Sequence, residues 1–209
     1  MSVRTEITRL RKKGSTDRAA LDALLDSCIV GHFGIVAEDG RPVVIPTAIV
    51  RVADTVLAHG STGSPWMRRL AAGAPTCLTV TALDGVVVAR SAFESSLHYR
   101  SAVLFGTCSP VEDAESALDA ITERLIPGRT AEIRRPRKAE LAATQVLALP
   151  IAEWSLKISA GWPDDPDDDV AGDAWAGVVP RRTSYADPRP APDLRAGITV
   201  PDSVRRFLD

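Results

Sequence analysis

Hydrophobic and polar residues alternate over long stretches of the chain, and the period lengthens where helices are expected. Leu21, Leu24 and Leu25 repeat at the spacing of one helix face, which predicts a covering helix over residues 15–27. From residue 28 onward β-branched residues dominate, and each apolar run is bounded by a turn signal such as Asp39-Gly40. The pattern therefore predicts one helix followed by a series of strands.

The same pattern predicts further strands separated by two helices, a short one starting at Pro65 and a longer one over residues 112–125. A second Asp-Gly pair, Asp84-Gly85, is interpreted as another hairpin turn. Several strands joined mostly by tight turns favour a closed antiparallel barrel over a parallel sheet. The predicted strands cover residues 28–37, 42–50, 56–59, 76–83, 86–91, 97–108, 145–151, 153–159 and 175–180.

Composition divides the 209 residues into three parts. Residues 1–16 form a basic N-terminal arm, residues 17–180 a mainly β barrel domain with flanking helices, and residues 181–209 a tail rich in Pro and Arg. We expect the tail to extend over the surface of a neighbouring molecule. Residues 164–169 are an acidic loop that lacks the glycine and the terminal glutamate of an EF-hand, so no metal site is predicted there.

Charge and motif content exclude several classes of function. A formal net charge of −2 disfavours binding to nucleic acid or to an anionic membrane surface. The N-terminus lacks an apolar leader segment, and the three cysteines are too far apart for a metal knuckle, so a cytoplasmic protein with free thiols is expected. The chain has three histidines and no Gly-x-Ser-x-Gly sequence, so it lacks the usual motifs of zinc hydrolases and serine hydrolases.

The turn over residues 60–64 is the strongest candidate for binding chemistry. A strand ends at His59 and Gly60, three hydroxyl residues follow, and Pro65 stands at the first position of a helix whose N-cap is Ser64. Helix N-termini carry unpaired N–H groups and a partial positive charge, so such a turn is suited to a phosphate. An ordinary capped turn explains the same residues equally well. The hydroxyl residues are Ser61, Thr62 and Ser64.

Pro46 interrupts the second predicted strand. Since proline cannot donate to a strand ladder, it is expected at a bulge or at a sheet edge. Backbone groups of Ile45 and Thr47 are then expected to be available to a ligand.

Several motifs, taken in order, resemble the pyridoxamine 5′-phosphate oxidase-like flavoproteins, and most of all the flavin-nucleotide-binding branch that includes nitroimidazole-resistance proteins. The resemblance covers residues 15–180. Its motifs are Val43-Val-Ile-Pro-Thr47, Leu57-Ala-His-Gly-Ser-Thr-Gly-Ser64, Ala89-Arg-Ser91, His98-Tyr-Arg-Ser-Ala-Val-Leu-Phe-Gly106, Lys157 and Trp175-Ala-Gly-Val178.

This resemblance implies an FMN-binding split barrel that forms a homodimer, with FMN in clefts between the subunits. It places the phosphate on the 60–64 turn and the flavin ring along residues 45–47, and it implies two cationic partners and two wall residues. The cations are Arg68 and Arg100, and the wall residues are Tyr99 and Ser101.

The implied activity is transfer of hydride or electrons between FMN and a small molecule. No catalytic residue is identified from the sequence, and His59 and Tyr99 are the candidates. The oxidase itself has Ser-Arg-Lys where this chain has Ser64-Pro65-Trp66, so two phosphate-binding cations are missing. Two alternatives remain open. In one, the barrel binds a deazaflavin or haem, served by basic residues 9–13 and 129–138; in the other, it binds flavin without catalysis.

Overall fold

The computed structural model describes residues 3–208, and antiparallel sheet dominates it. The strands are β1 (Gly14–Ser15), β2 (Val30–Val36), β3 (Pro42–Val52), β4 (Thr55–Ser61), β5 (Pro75–Val88), β6 (Ser96–Thr107), β7 (Ser109–Pro110), β8 (Thr144–Pro150), β9 (Glu153–Ser159) and β10 (Gly177–Pro180). The helices are α1 (Arg18–Ser27), α2 (Pro65–Ala71), α3 (Ala114–Leu125), α4 (Lys138–Ala142), α5 (Asp167–Val170) and α6 (Asp202–Arg205), with 3₁₀ turns at Arg11–Lys13 and Arg129–Glu132.

The strands form a single sheet that curls without closing. Their order is β1-β9-β6-β5-β2-β3-β4-β8-β7, and β10 pairs with β5 beside this path. Where β6 approaches β8, a methyl group added at Gly106 would lie 3.3 Å from Leu149. In the described chain no ladder joins β1 to β7, and each of these edge strands has only two residues. The mainly β split-barrel fold is therefore confirmed, whereas the expectation of a fully closed barrel is wrong.

The core lies inside the curl of the sheet and is sealed by helix α1. Leu21, Leu24 and Leu25 of this helix are at most 1% exposed, as the helical period predicted. They pack with Phe33, Leu78 and other inward side chains of the strands. Burial of a leucine side chain is worth about 1.5–3 kcal/mol, so this helix is a main contributor to the stability of the barrel.

A second, smaller cluster lies on the opposite face of the sheet. Helix α3 places Ala117 and Ile121 against Val50, Leu57 and Val146 of β3, β4 and β8. We call the sheet face turned away from the main core the outer face. Helix α3 covers only the part of the outer face formed by β3, β4 and β8.

The prediction of a hairpin turn at Asp84-Gly85 is wrong, because strand β5 continues through both residues. The ladder between β5 and β6 has a register shift between Leu83 and Gly85, and Gly85 pairs with His98. A methyl group on Gly85 would lie 2.7 Å from the carbonyl oxygen of Val179 in β10. Glycine is needed here because a third strand approaches closely, and the bulge permits that pairing.

Both ends of the chain pack against the barrel. The arm contributes β1, which pairs with β9, and Arg4 forms an ion pair with Glu153 at 2.6 Å. Residues 181–200 are all exposed, yet α6 docks again, where the backbone N–H and the hydroxyl of Ser203 donate to the Glu132 carboxylate. None of the helices in residues 3–208 combines the length and the apolar character needed to cross a bilayer.

Candidate functional site

The register of the sheet defines the open part of the outer face. Residues that pair across antiparallel strands point to the same side, so one row crosses β3, β2, β5, β6 and β9. The members of this row are Pro46, His32, Thr79, Val103 and Ser155. The row contains no Asp, Glu, Lys or Arg, and helix α3 does not pack on it.

The predicted wall residues belong to this face. Tyr99 and Ser101 alternate along β6 with Ala102 and Leu104, which are buried in the main core. Ser101 and Val103 lie two residues apart, so Ser101 shares the face of Pro46. The structure therefore brings Tyr99, Ser101 and Pro46 to one side of the sheet.

Other predicted residues lie on the opposite side. Ile45 and Thr47 alternate with Pro46, so their side chains turn toward the core. The backbone N–H groups of Ile45 and Thr47 point toward the neighbouring strand β2. This follows because the Ile49 N–H donates to the Ile29 carbonyl at 3.0 Å, and N–H groups that face one neighbouring strand repeat every second residue. The donors on the open edge of β3 beside Pro46 are consequently Val44 and Ala48. Pro46 does lie at a free edge, since only β2 pairs with this half of β3.

The 60–64 turn uses several of its own donors. Thr62 donates its N–H and its hydroxyl to the carbonyl of Ala143 at 3.0 and 3.3 Å. The N–H of Gly63 donates to the Ser61 hydroxyl at 3.1 Å, and the N–H of Ser64 donates to the Ser61 carbonyl at 3.0 Å. The Ser64 hydroxyl makes no cap hydrogen bond. An anion here would therefore meet side chains more than the backbone of the turn itself.

Three side chains at this turn have unused hydrogen-bonding capacity. Arg68 is exposed and makes no ion pair within residues 3–208. The Nε of Arg69 and the Nδ1 of His59 are buried and lack a hydrogen-bond partner in the described structure. Buried polar atoms are nearly always paired in folded proteins, so two such atoms at one turn point to a missing partner. The sequence analysis did not name Arg69 as a candidate; its signal was a second arginine following the hydroxyl-rich turn.

Arg100 is committed to another carboxylate. Its Nε and Nη2 each donate to Asp84 at 2.9 Å, which forms a bidentate ion pair beside the bulge of β5. The hydrogen bond and charge of Arg100 hold the pKa of Asp84 below its ordinary value. Arg100 alternates with Tyr99 and Ser101 along β6 and so lies on the opposite face. This geometry favours a salt bridge over a phosphate contact.

His98 lies where β6 meets the bulge of β5. Its Nε2 is 2.8 Å from the carbonyl oxygen of Gly161, three residues before the acidic loop. Next to it on β6, the ring of Tyr99 has the ammonium of Lys13 over its face at 5.9 Å. The arm, the acidic loop and β6 therefore meet at this end of the sheet.

The basic segment 129–138 and the cysteines make contacts within the fold. Arg134 pairs with Glu140 at 2.5 Å and Arg135 with Glu115 at 2.7 Å, so much of the basic charge in residues 129–138 is neutralised locally. All cysteines are free, and burial raises the pKa of Cys108 to about 11. Within residues 3–208 no three His, Cys, Asp or Glu side chains are grouped to hold a metal ion. A cleft of about 660 Å³ lies between the arm and β9.

Comparison with known proteins identifies a family and whole-length relatives. The family model described as pyridoxamine 5′-phosphate oxidase matches residues 17–158. The search of curated proteins gives no match.

Among solved structures, the FAD and haem binding protein from Mycobacterium smegmatis is 55% identical, with a TM-score of 0.90, over 94% of this chain and 97% of that one. The flavocytochrome Anf3 from Azotobacter vinelandii is 34% identical, with a TM-score of 0.92, over 100% and 98%. A protein from Bacteroides thetaiotaomicron described as a 5-nitroimidazole antibiotic resistance protein shares the fold, with 20% identity and a TM-score of 0.57 over 69% of this chain and 86% of that one.

Proposed function

The chain belongs to the pyridoxamine 5′-phosphate oxidase family, and from this premise we propose that it is a flavin-dependent oxidoreductase that acts as a homodimer on a small molecule. The flavin lies between the outer faces of two subunits. One observation carries the proposal: beside a turn with unpartnered basic groups, the outer face of the sheet exposes aliphatic side chains that helix α3 does not cover.

Exposed aliphatic side chains in register support the dimer. Val179, Val86 and Leu97 pair across β10, β5 and β6, and they are 53, 43 and 45% exposed. Val44 and Val30 are further exposed aliphatic side chains on β3 and β2. A row of exposed apolar side chains such as that of Val179, Val86 and Leu97 marks an interaction site. A second copy of the same face covers it by two-fold symmetry, which is the commonest arrangement of homodimers.

The turn at residues 60–69 fits the anionic end of a flavin nucleotide. Side chains on a helix lean toward its N-terminus, so Arg68 and Arg69 are placed to reach an anion beside Ser64. A phosphate would give the buried Nε of Arg69 a partner and would use the free hydroxyl of Ser64. Such charge-assisted hydrogen bonds are roughly twice as strong as neutral ones. The predicted pair Arg68 and Arg100 is thereby revised to Arg68 and Arg69.

The flavin supplies hydride or electron transfer when bound, and the chain supplies its environment. Pro46, Tyr99 and Ser101 form a wall for the flavin ring, and the Lys13 ammonium lies over the ring of Tyr99 at 5.9 Å. The second subunit excludes water from that wall. His59, with an unpaired ring nitrogen beside the turn, is the first candidate to hold or move a proton, and Tyr99 is the second.

We favour FAD over the FMN expected from the sequence. The relative with 55% identity over nearly the whole chain is named for FAD and haem. The flavin released from purified protein identifies the nucleotide by mass. Protein that stays colourless and binds neither FAD nor FMN would contradict the proposal. Reduction of the bound flavin by NADH or NADPH with a small-molecule acceptor separates an oxidoreductase from a flavin-binding protein without catalysis.

Substitution of the turn arginines tests the anion site. Arg68→Ala and Arg69→Ala are each expected to weaken flavin binding about tenfold, or about 1.4 kcal/mol, because each removes a cationic partner. Binding is followed by quenching of flavin fluorescence. The matched control is Arg195→Ala, which changes an exposed arginine of the tail. Unchanged affinity in both turn variants would place the phosphate elsewhere.

Haem is the second candidate cofactor. Both whole-length relatives carry names that include it, as a haem binding protein and as a flavocytochrome. A haem needs an axial donor and apolar contacts. Histidines on or near the surface and exposed aromatic side chains provide both kinds of group in this chain. The deazaflavin alternative has no comparable support.

A further inference from the structure

We propose that the cleft between the N-terminal arm and β9 is the substrate site of the oxidoreductase, and that its substrate is a neutral molecule with a flat aromatic part. The inference rests on the proposed function, which gives the protein a small-molecule substrate without a place to bind. The volume of the cleft is about 660 Å³. Sites for small molecules are typically about 300–1,000 Å³ in size.

The arm that covers the cleft is held against the sheet at two points. Arg4 forms an ion pair with Glu153 at 2.6 Å, and its guanidinium also lies over the ring of Phe105 at 5.4 Å. Farther along the arm, the Lys13 ammonium lies over the ring of Tyr99 at 5.9 Å. The cleft is therefore a built feature of the fold and not a gap beneath a loose end.

Apolar side chains line the cleft from both sides. Trp154 of β9 is half-buried and packs against the main core, and its side chain is part of the lining. Ile7 of the arm is also half-buried, and a methyl group added at Gly14 would lie 3.1 Å from its Cδ1. An indole ring gains most from contact with another flat ring, so this lining suits an aromatic molecule.

The charges of the lining are already paired, which favours a neutral ligand. Its two carboxylates are Glu6, paired with Arg11 at 3.3 Å, and Glu153, paired with Arg4 at 2.6 Å. A charged ligand would lose water here without gaining a counter-ion. Among the described residues that line the cleft, none is a His, Met, Cys or Tyr, so it does not suit a haem iron.

Hydrogen-bonding groups are available for the polar atoms of such a molecule. The hydroxyls of Thr16 and Ser155 line the cleft and make no hydrogen bond within residues 3–208. Strand β1 pairs only with Leu156 and Lys157 of β9, so Trp154 and Ser155 lie beyond the end of this ladder. Because backbone groups alternate between the two edges of a strand, one of these two residues turns its N–H and C=O to the edge beside the arm.

The cleft opens beside the wall proposed for the flavin ring. Ser155 pairs with Val103 and Lys157 pairs with Ser101, so Ser155 and Ser101 are diagonal neighbours on one face. Such neighbours are about 7–8 Å apart. A molecule that contacts Trp154 and extends past Ser155 would therefore reach the flavin ring at Ser101.

Calorimetric titration of the flavin-loaded full chain with naphthol, a neutral aromatic molecule, tests the site. Trp154→Leu is expected to weaken binding at least about tenfold, because it removes the ring that the probe contacts. Thr16→Trp should cause a similar loss by filling the cleft from an exposed position, where it does not disturb the core. The matched control is Trp162→Leu, which removes an indole that is 78% exposed outside the cleft and should keep the affinity.

A second probe and a second signal sharpen the test. Naphthalenesulfonate, the same ring system with a negative charge, should bind at least about tenfold more weakly than naphthol. Bound naphthol should also shift the absorption bands of the flavin, since the two rings are neighbours. The flavin content of every variant, measured separately, should be unchanged.

The outcomes separate this inference from the function on which it rests. Loss of naphthol binding in both cleft variants, with a flavin shift in the wild type, supports the site. Unchanged affinity in both variants, tighter binding of the sulfonate, or naphthol binding without a flavin shift overturns the inference and leaves the flavin proposal in place. A wild type that binds flavin but not naphthol overturns it as well. A chain that takes up no flavin contradicts the proposed function and the substrate role together.

Discussion

The covered and the open parts of the outer face are built from the same kind of strand, and β3 passes through both. Val50 and Val44 lie six residues apart on one side of β3, yet Val50 is 2% exposed and Val44 is 63% exposed. Helix α3 accounts for the difference, because it packs on Val50 and ends short of Val44. The open part therefore exposes aliphatic side chains of the kind that α3 buries on the covered part.

This difference separates two kinds of apolar residue. Side chains under α3 stabilise the fold of one chain, whereas those on the open part are the ones that we propose to contact a second subunit. Variants under α3 should consequently lower the free energy of unfolding, whereas variants on the open part should weaken dimer formation.

Leu57→Ala should have the largest effect on folding. It removes a buried side chain beneath α3, and such truncations cost about 2–5 kcal/mol of unfolding free energy. The matched Val44→Ala on the open part should cost about 0.5 kcal/mol or less. Urea unfolding at a protein concentration low enough to give monomers makes the comparison. Equal losses for the two variants would show that the open part is covered within one chain.

Leu97→Arg should break the dimer while leaving the subunit folded. Its side chain lies between Val86 and Tyr99 on the open part, where an arginine would be buried without a carboxylate in the dimer. We expect dimer affinity to fall at least about a hundredfold, or 2.7 kcal/mol. Sedimentation velocity gives the oligomeric state. Val170→Arg, an exposed aliphatic position on α5, is the control and should stay dimeric. A wild-type monomer would refute the interface outright.

Asp84→Asn should have the smallest effect. The ion pair with Arg100 is bidentate but about one-third exposed, so its loss should cost about 1 kcal/mol or less at neutral pH. Because the pKa of Asp84 is lowered in the folded state, its contribution is complete above the ordinary value of 3.8 and disappears as the pH falls through the lower folded value.

Unfolding measured between neutral pH and acid checks this sign. The stability difference between wild type and Asp84→Asn should shrink below pH 3.8. Asp168→Asn, in the exposed acidic segment, is the matched control for removing one carboxylate. A difference that grows toward acid would contradict the assigned direction.

The periodicity of apolar residues correctly predicted strands and helices whose pattern is set by their own burial. Strand β9 occupies residues 153–159 as expected, and α1 ends at Ser27, because alternation and the leucine spacing reflect burial directly. The Asp84-Gly85 pair misled because a turn signal is local, whereas the demand for glycine there comes from β10, more than ninety residues later in the chain.

The candidate site was predicted only in part for the same reason. The hydroxyl-rich turn and the alternation of Tyr99 with Arg100 could be read from the sequence. The commitment of Arg100 to Asp84 could not, since it depends on the register of two strands. The buried, unpaired Nε of Arg69 likewise appears only when the helix is packed.

The long exposed segment before α6 has a practical consequence for handling the protein. Residues 181–200 offer many accessible peptide bonds, whereas Ser203 beyond them is held by Glu132. A protease should nick this segment first. The released end would still be retained by its docking contacts, so a preparation that runs as two bands on a denaturing gel could elute as one intact particle.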